Sequence, residues 1–158
     1  EEGRRFLDMT SAVYIMPLLL SCLGAVFTKA GVGDAFSALF GKIIPAGNIY
    51  VGIVAYALGM MLFTIIMGNA FAAITVMTVG VGVPFVISLG GNPLYMVTLA
   101  MTCGYCGTLL TPMAANFNIV PGVYLEVKDK YSIIKMQIIP SAIMLTFQLI
   151  YMFIAVHF

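Results

Sequence analysis

Between Lys42 and Glu126 the chain runs for 83 residues without Asp, Glu, Lys or Arg. After Lys135 it continues to Phe158 with only His157 able to carry charge. A helix spanning a bilayer needs about 20 predominantly apolar residues, so the first stretch alone holds three to four passes. Composition agrees. Of 158 residues, 62% are hydrophobic and 8% are charged, against roughly 25% charged in an ordinary soluble domain. Thirteen charged side chains cannot coat a soluble fold of this size, and a net charge of +1 gives no basic field to hold nucleic acid. The chain therefore reads as an all-α, polytopic membrane domain covering 1–158, and a soluble enzyme is excluded.

Apolar runs and their breaks predict spans at about 9–28, 49–67, 70–89, 94–110 and 137–156. Pro17 interrupts the first, and Pro140 falls in the first turn of the last. In the connection after the first span, Val32, Ala35, Phe36, Leu39, Phe40 and Ile43 recur at helical spacing. That reads either as an amphipathic helix of about 32–43 at the membrane surface or as a loop helix packed on protein. The segments 49–67 and 70–89 either both cross or form a re-entrant hairpin with Asn69 at its tip. Both topologies leave the N-terminus on the side of the 126–135 loop. That side carries Arg4, Arg5, Lys128, Lys130 and Lys135, against Lys29 and Lys42 on the other, which makes it cytoplasmic. The loop's own charges, Glu126 and Asp129 among them, read as solvation. The chain opens at Glu1 on a polar stretch that looks like a loop cut open, as the C-terminal portion of a longer protein would.

Two breaks inside the uncharged stretch are the candidate chemistry. Irregular backbone survives at membrane depth only where it lines a cavity or is buried in protein. Transporters use such breaks to aim helix N-termini at anions and unwound carbonyls at cations. The first break supplies Gly68, Asn69 and Ala70, with Asn69 suited to capping the helix that follows. The second runs from Thr111-Pro112 to Pro121 and supplies Thr111, Asn116 and Asn118. The alternative is that both are kinks packed on neighbouring helices. Cys103-Gly104-Tyr105-Cys106 is a C-x-x-C, but it lies in an apolar helix without a cationic neighbour, and Gly104 and Gly107 suit a close helix contact. His157 reads as an interfacial residue. No catalytic residue, cofactor site or metal cluster emerges.

Gly68-Asn69-Ala70-Phe71-Ala72-Ala73, Val76-Met77-Thr78, Gly90-Gly91-Asn92-Pro93 and the run Cys106-Gly107-Thr108-Leu109-Leu110-Thr111-Pro112-Met113-Ala114-Ala115-Asn116-Phe117-Asn118-Ile119-Val120-Pro121 resemble the larger membrane subunit of the two-subunit 5-oxoproline (pyroglutamate) transporter family. Cys103 is a departure from that pattern. The resemblance runs from about Gly3 to the C-terminus. It implies a non-enzymatic, ion-coupled symporter of a small carboxylate in the cell membrane, with a smaller membrane subunit as partner. Through the ion transporter superfamily it also implies inverted repeats with re-entrant hairpins, of which this chain is one repeat. Substrate would then sit between Asn69 and the Asn116/Asn118 break. A homo-oligomer is expected as well, because one repeat cannot surround a substrate. Residues 43–125 hold both breaks and no Asp, Glu, Lys, Arg or His, so the expected coupling ion is sodium, near Asn69, Thr108 and Asn116. Two other classes remain: a non-transporting structural subunit, and a membrane redox protein using Cys103 and Cys106.

Overall fold

The computed structural model describes residues 19, 22, 25–27, 29–42, 47–114, 117–118, 121–122, 125, 127, 129 and 131–156. Most of the expected first span, together with Asn116, Glu126, Lys128, Lys130 and His157, lies outside them. Among the described residues the regular structure is entirely helical: α1 (Val32–Gly41), α2 (Ile49–Met67), α3 (Ala70–Met77), a π-helical continuation of α3 (Thr78–Ile87), α4 (Pro93–Leu110) and α5 (Ser132–Ala155).

Asparagine starts three of these helices. Asn48 Oδ1 accepts the N–H of Tyr50 at 3.1 Å, Asn69 Oδ1 that of Phe71 at 2.7 Å, and Asn92 Oδ1 that of Leu94 at 3.0 Å. Each takes up one of the donors that a helix leaves free at its first turn. α2 stops at Gly68, whose φ of 72° is left-handed, and its N–H closes on Thr64 O at 2.7 Å. The return arm begins as α-helix and widens where Gly80, Gly82 and Pro84 fall in one stretch. Ser88 ends it, donating its N–H to Val83 O and its hydroxyl to Pro84 O.

Four segments are long and apolar enough to cross a membrane: Ile49–Met67, Ala70–Ile87, Pro93–Leu110 and Ser132–Ala155. The chain is an all-α, multi-pass membrane protein. Both arms around Gly68-Asn69 meet that length, α2 measuring about 28 Å at 1.5 Å per residue.

Large apolar side chains cover the outside, and alanines and glycines stand among Tyr56, Ile53 and the buried methionines inside. Ile66, Leu94, Ile139 and Phe147 are all at least 64% exposed, whereas Ala57, Ala72, Ala73 and Ala100 are fully buried. Glycines set the helix spacing. A Cβ on Gly52 would collide with the Phe85 carbonyl, and one on Gly82 would lie 2.8 Å from the Tyr56 ring, so α2 and the return arm touch along their length. A Cβ on Gly107 would come 2.5 Å from Met61 O, and one on Gly104 2.7 Å from Met60 Cε. α4 thus runs parallel to α2 across a seam of small residues. Tyr56, fully buried, bonds Thr78 Oγ1 at 2.7 Å where the π-helical stretch begins.

α1 forms where the 32–43 pattern predicts it, and it packs on protein. Its Gly33 lies against Gly80, whose added Cβ would sit 2.6 Å from Gly33 O. Leu39 of the apolar stripe points outward at 55% exposure, while Phe40 packs on the core. Gly33, outside the stripe, marks the closest approach, beside Val32, which packs on the core.

α5 starts five residues earlier than its apolar run suggests, at Ser132, so Pro140 lies in the helix interior and not in its first turn. The polar residues before 137 extend the helix because Asp129 organises its start: Oδ1 accepts the Tyr131 N–H at 3.0 Å and Oδ2 pairs with Lys135 Nζ at 3.0 Å. That backbone bond, then the Lys135 ammonium, hold the Asp129 carboxyl below its ordinary range. A depressed carboxyl contributes stability above its unfolded pKa and loses it as pH falls through the folded one. Fully exposed, the pair contributes little. A carbon-detected NMR titration is expected to place the Asp129 midpoint below that of a free Asp, and Lys135→Ala to move it upward.

Candidate functional site at the paired helix breaks

The two breaks named from the sequence are neighbours. α2 and α4, running parallel, reach their C-terminal ends together. Thr111 Oγ1 donates to Ile65 O at 2.9 Å and accepts the Met113 N–H at 3.2 Å, tying the end of α4 to the last turn of α2. A Cβ on Gly68 would lie 2.8 Å from Met113 Cβ. At this point the breaks meet by direct packing, where a polar cavity was expected. Phe71, Tyr105 and Phe117 form an aromatic row across the same end, with ring centroids 6.1 Å and 6.4 Å apart.

The expected site residues that are described each have a definite place. Asn69 caps α3. Ala70 is buried against α4, its Cβ 3.1 Å from where a Cβ on Gly104 would be. Thr108 is 3% exposed and its hydroxyl donates to Tyr105 O at 2.6 Å. Thr111 is 1% exposed, with both hydrogen-bonding roles used. Asn116 lies outside the described residues.

Asn118 does something its sequence context does not announce. It folds back under α4, and Nδ2 donates to the carbonyls of Thr111 at 2.6 Å, Thr108 at 3.1 Å and Leu109 at 3.4 Å. These are carbonyls that a helix leaves without partners at its C-terminus. Reversing the amide would aim Oδ1 at three carbonyl oxygens, so the orientation is set by its surroundings. Oδ1 is consequently left buried without a partner.

The sequence reading placed α5 as a span but gave its polar residues no role. Gln148, 6% exposed, has Oε1 3.7 Å from Cys106 Sγ. Seven and eleven residues earlier on the same face stand Ser141 and Gln137, and both Ser141 Oγ and Gln137 Oε1 are buried without a partner. Polar residues at heptad spacing on an otherwise apolar helix were the available signal. Cys103 and Cys106 are free thiols buried three residues apart on α4, and Cys106 makes its contact with Gln148.

The end of the bundle thus gathers two helix C-termini, one helix N-terminus and a set of buried amide and hydroxyl oxygens. Helix C-termini carry partial negative and helix N-termini partial positive charge, so both signs of potential meet at this end. No curated protein and no solved structure matches the chain. Over residues 1–157 it matches the family described as Protein of unknown function (DUF979), and it belongs to that family.

Proposed function

We propose that the chain is a subunit of a secondary transporter that carries a small carboxylate, 5-oxoproline by the resemblance of its motifs, across the cell membrane. One observation carries this reading: two non-helical backbone segments, Gly68-Asn69 and Thr111–Ala114, meet inside an apolar bundle. Breaks of this kind are tolerated in membranes where they line a cavity or are buried in protein, and transporters place their binding sites at them. The N-terminus of α3 offers positive potential to the carboxylate, and the ends of α2 and α4 offer negative potential to a coupling cation, for which sodium needs only oxygen ligands. A smaller membrane subunit and a homo-oligomeric arrangement complete the enclosure in this reading, with the 126–135 loop on the cytoplasmic side.

The test is radiolabelled 5-oxoproline uptake by the full-length subunit pair in proteoliposomes. Uptake is expected from the pair and from neither subunit alone, and a sodium gradient at fixed pH should drive it. Asn69→Ala and Asn116→Ala are each expected to lower it about tenfold or more, the effect of losing a hydrogen bond to a charged ligand. Loss of the Asn69 cap costs only about 1 kcal/mol, so insertion and expression should persist. Wild-type uptake in both variants would refute the site. Uptake that ignores sodium and follows a pH gradient would refute the coupling.

A further inference from the structure

Asn118 Oδ1, Ser141 Oγ and Gln137 Oε1 are buried oxygens without partners, on two different segments. The helix register brings those segments together. The Cys106–Gln148 contact aligns α4 and α5 antiparallel. Seven residues back along α5 is about 10 Å, which carries Ser141 just past the end of α4 at Thr111. Asn118, held on the last carbonyls of α4, stays close to the level of Ser141, and Gln137 stands one further turn out toward Ile133. The position where a Cβ on Gly122 would sit, 3.6 Å from Ile133 Cδ1, fits the same alignment. Both α5 residues share the face that carries Gln148, which is the face turned to α4.

The chemistry of this group is one-sided. Asn118 has committed its amide protons to three carbonyls, so it offers only an acceptor. Gln137 presents an unpartnered oxygen, and the Ser141 hydroxyl oxygen has free lone pairs. The C-terminal ends of α2 and α4 add the negative poles of two helices. Ser141 and Gln137 also carry donors, but the fixed Asn118 acceptor and the two negative helix ends favour a cation over a carboxylate. Neutral hard oxygens without an acidic residue suit a small monovalent cation, since divalent ions take carboxylates. Of the side chains nominated from sequence, Thr108 is engaged with Tyr105 O and Asn69 with the Phe71 N–H, and Asn116 lies outside the described residues.

We infer that Asn118, Ser141 and Gln137 form a sodium site between α5 and the break after α4, distinct from the carboxylate position at Asn69. The inference deepens the transport reading and rests on it only for the role of the ion. Binding is measured on the full-length subunit pair in detergent, by titrating sodium chloride against potassium and choline chlorides at constant ionic strength and following the unfolding midpoint. Sodium is expected to raise the midpoint saturably, and the other two are not. Ser141→Ala and Gln137→Leu should each raise the half-saturating concentration about tenfold, the loss of one ligand. Thr146→Ala, exposed on α5 and bonded to Ala142 O, should titrate as wild type. Equal stabilisation by potassium or choline overturns the site, as do wild-type titrations for both α5 variants. Labelled 5-oxoproline uptake on the same preparations separates the two readings. Uptake without selective sodium stabilisation removes the site and keeps transport. Selective stabilisation lost in both variants, without uptake of any carboxylate, keeps the site and removes transport.

Discussion

Gly107→Leu is expected to leave almost no folded protein. A Cβ at 107 would stand 2.5 Å from Met61 O and 3.0 Å from Thr64 Cβ, and the first of these is backbone that cannot swing aside. α4 would have to retreat from α2, breaking the Thr111–Ile65 bond and the glycine seam together. Overpacking costs about 1–3 kcal/mol where side chains can adjust, and more where they cannot. Against a total stability of about 5–15 kcal/mol this is a large fraction. Gly52→Leu, aimed at the Phe85 carbonyl, should behave alike. Gly122→Ala is the control, because its added methyl meets only Ile133 Cδ1 at ordinary contact distance. Size-exclusion profiles of fluorescent fusions would decide the matter. A monodisperse peak of wild-type height for Gly107→Leu would show that the seam is looser than described.

The second large effect belongs to Asn118. Asn118→Asp is nearly isosteric but exchanges the donor that holds three carbonyls for an acceptor facing them. A charge buried without a partner costs about 3–5 kcal/mol, and neutralising it by proton uptake restores only one donor. Asn118→Ala, which merely frees the carbonyls, should cost about 1–3 kcal/mol. The expected order of unfolding midpoints is wild type, then Ala, then Asp. An Asp variant as stable as wild type would mean that Nδ2 does not cap α4.

Much of this was legible in the chain. The 83 uncharged residues dictate membrane helices, and Asn69 marks the start of the helix after the first break; Asn48 and Asn92 cap two more that the sequence reading did not single out. What eluded sequence reasoning has physical causes. The start of α5 was missed because the search followed apolarity, whereas Asp129 and Lys135 stabilise a polar first turn through local bonds. The π-helical stretch was seen only as a weakening at Gly80, Gly82 and Pro84, since hydrogen-bond register is not a matter of residue type. Asn118 was named as a site residue, but its reach back to Thr108 depends on the turn after Pro112, which periodicity cannot describe. Ser141 and Gln137 were hidden because a polar residue in a long apolar run shifts an average very little, and its importance shows only when its oxygen is found alone.

α5 has 24 residues against the 18 of α4, and the excess protrudes at the end that carries Lys135. The ammonium there is 68% exposed, as a cation among lipid headgroups would be. With Lys135 at that level, the proposed cation site between Gln137 and Ser141 would lie about 3–9 Å along α5 into a hydrocarbon layer about 30 Å thick. A cation held there would stand about a fifth of the way across the membrane field. One charge moved across the whole field exchanges about 2.3 kcal/mol per 100 mV, so a fifth of it would change occupancy about twofold per 100 mV. The overhang of a single helix would thereby make membrane voltage an input to the proposed site, and clamping that voltage a way of filling or emptying it without altering any concentration.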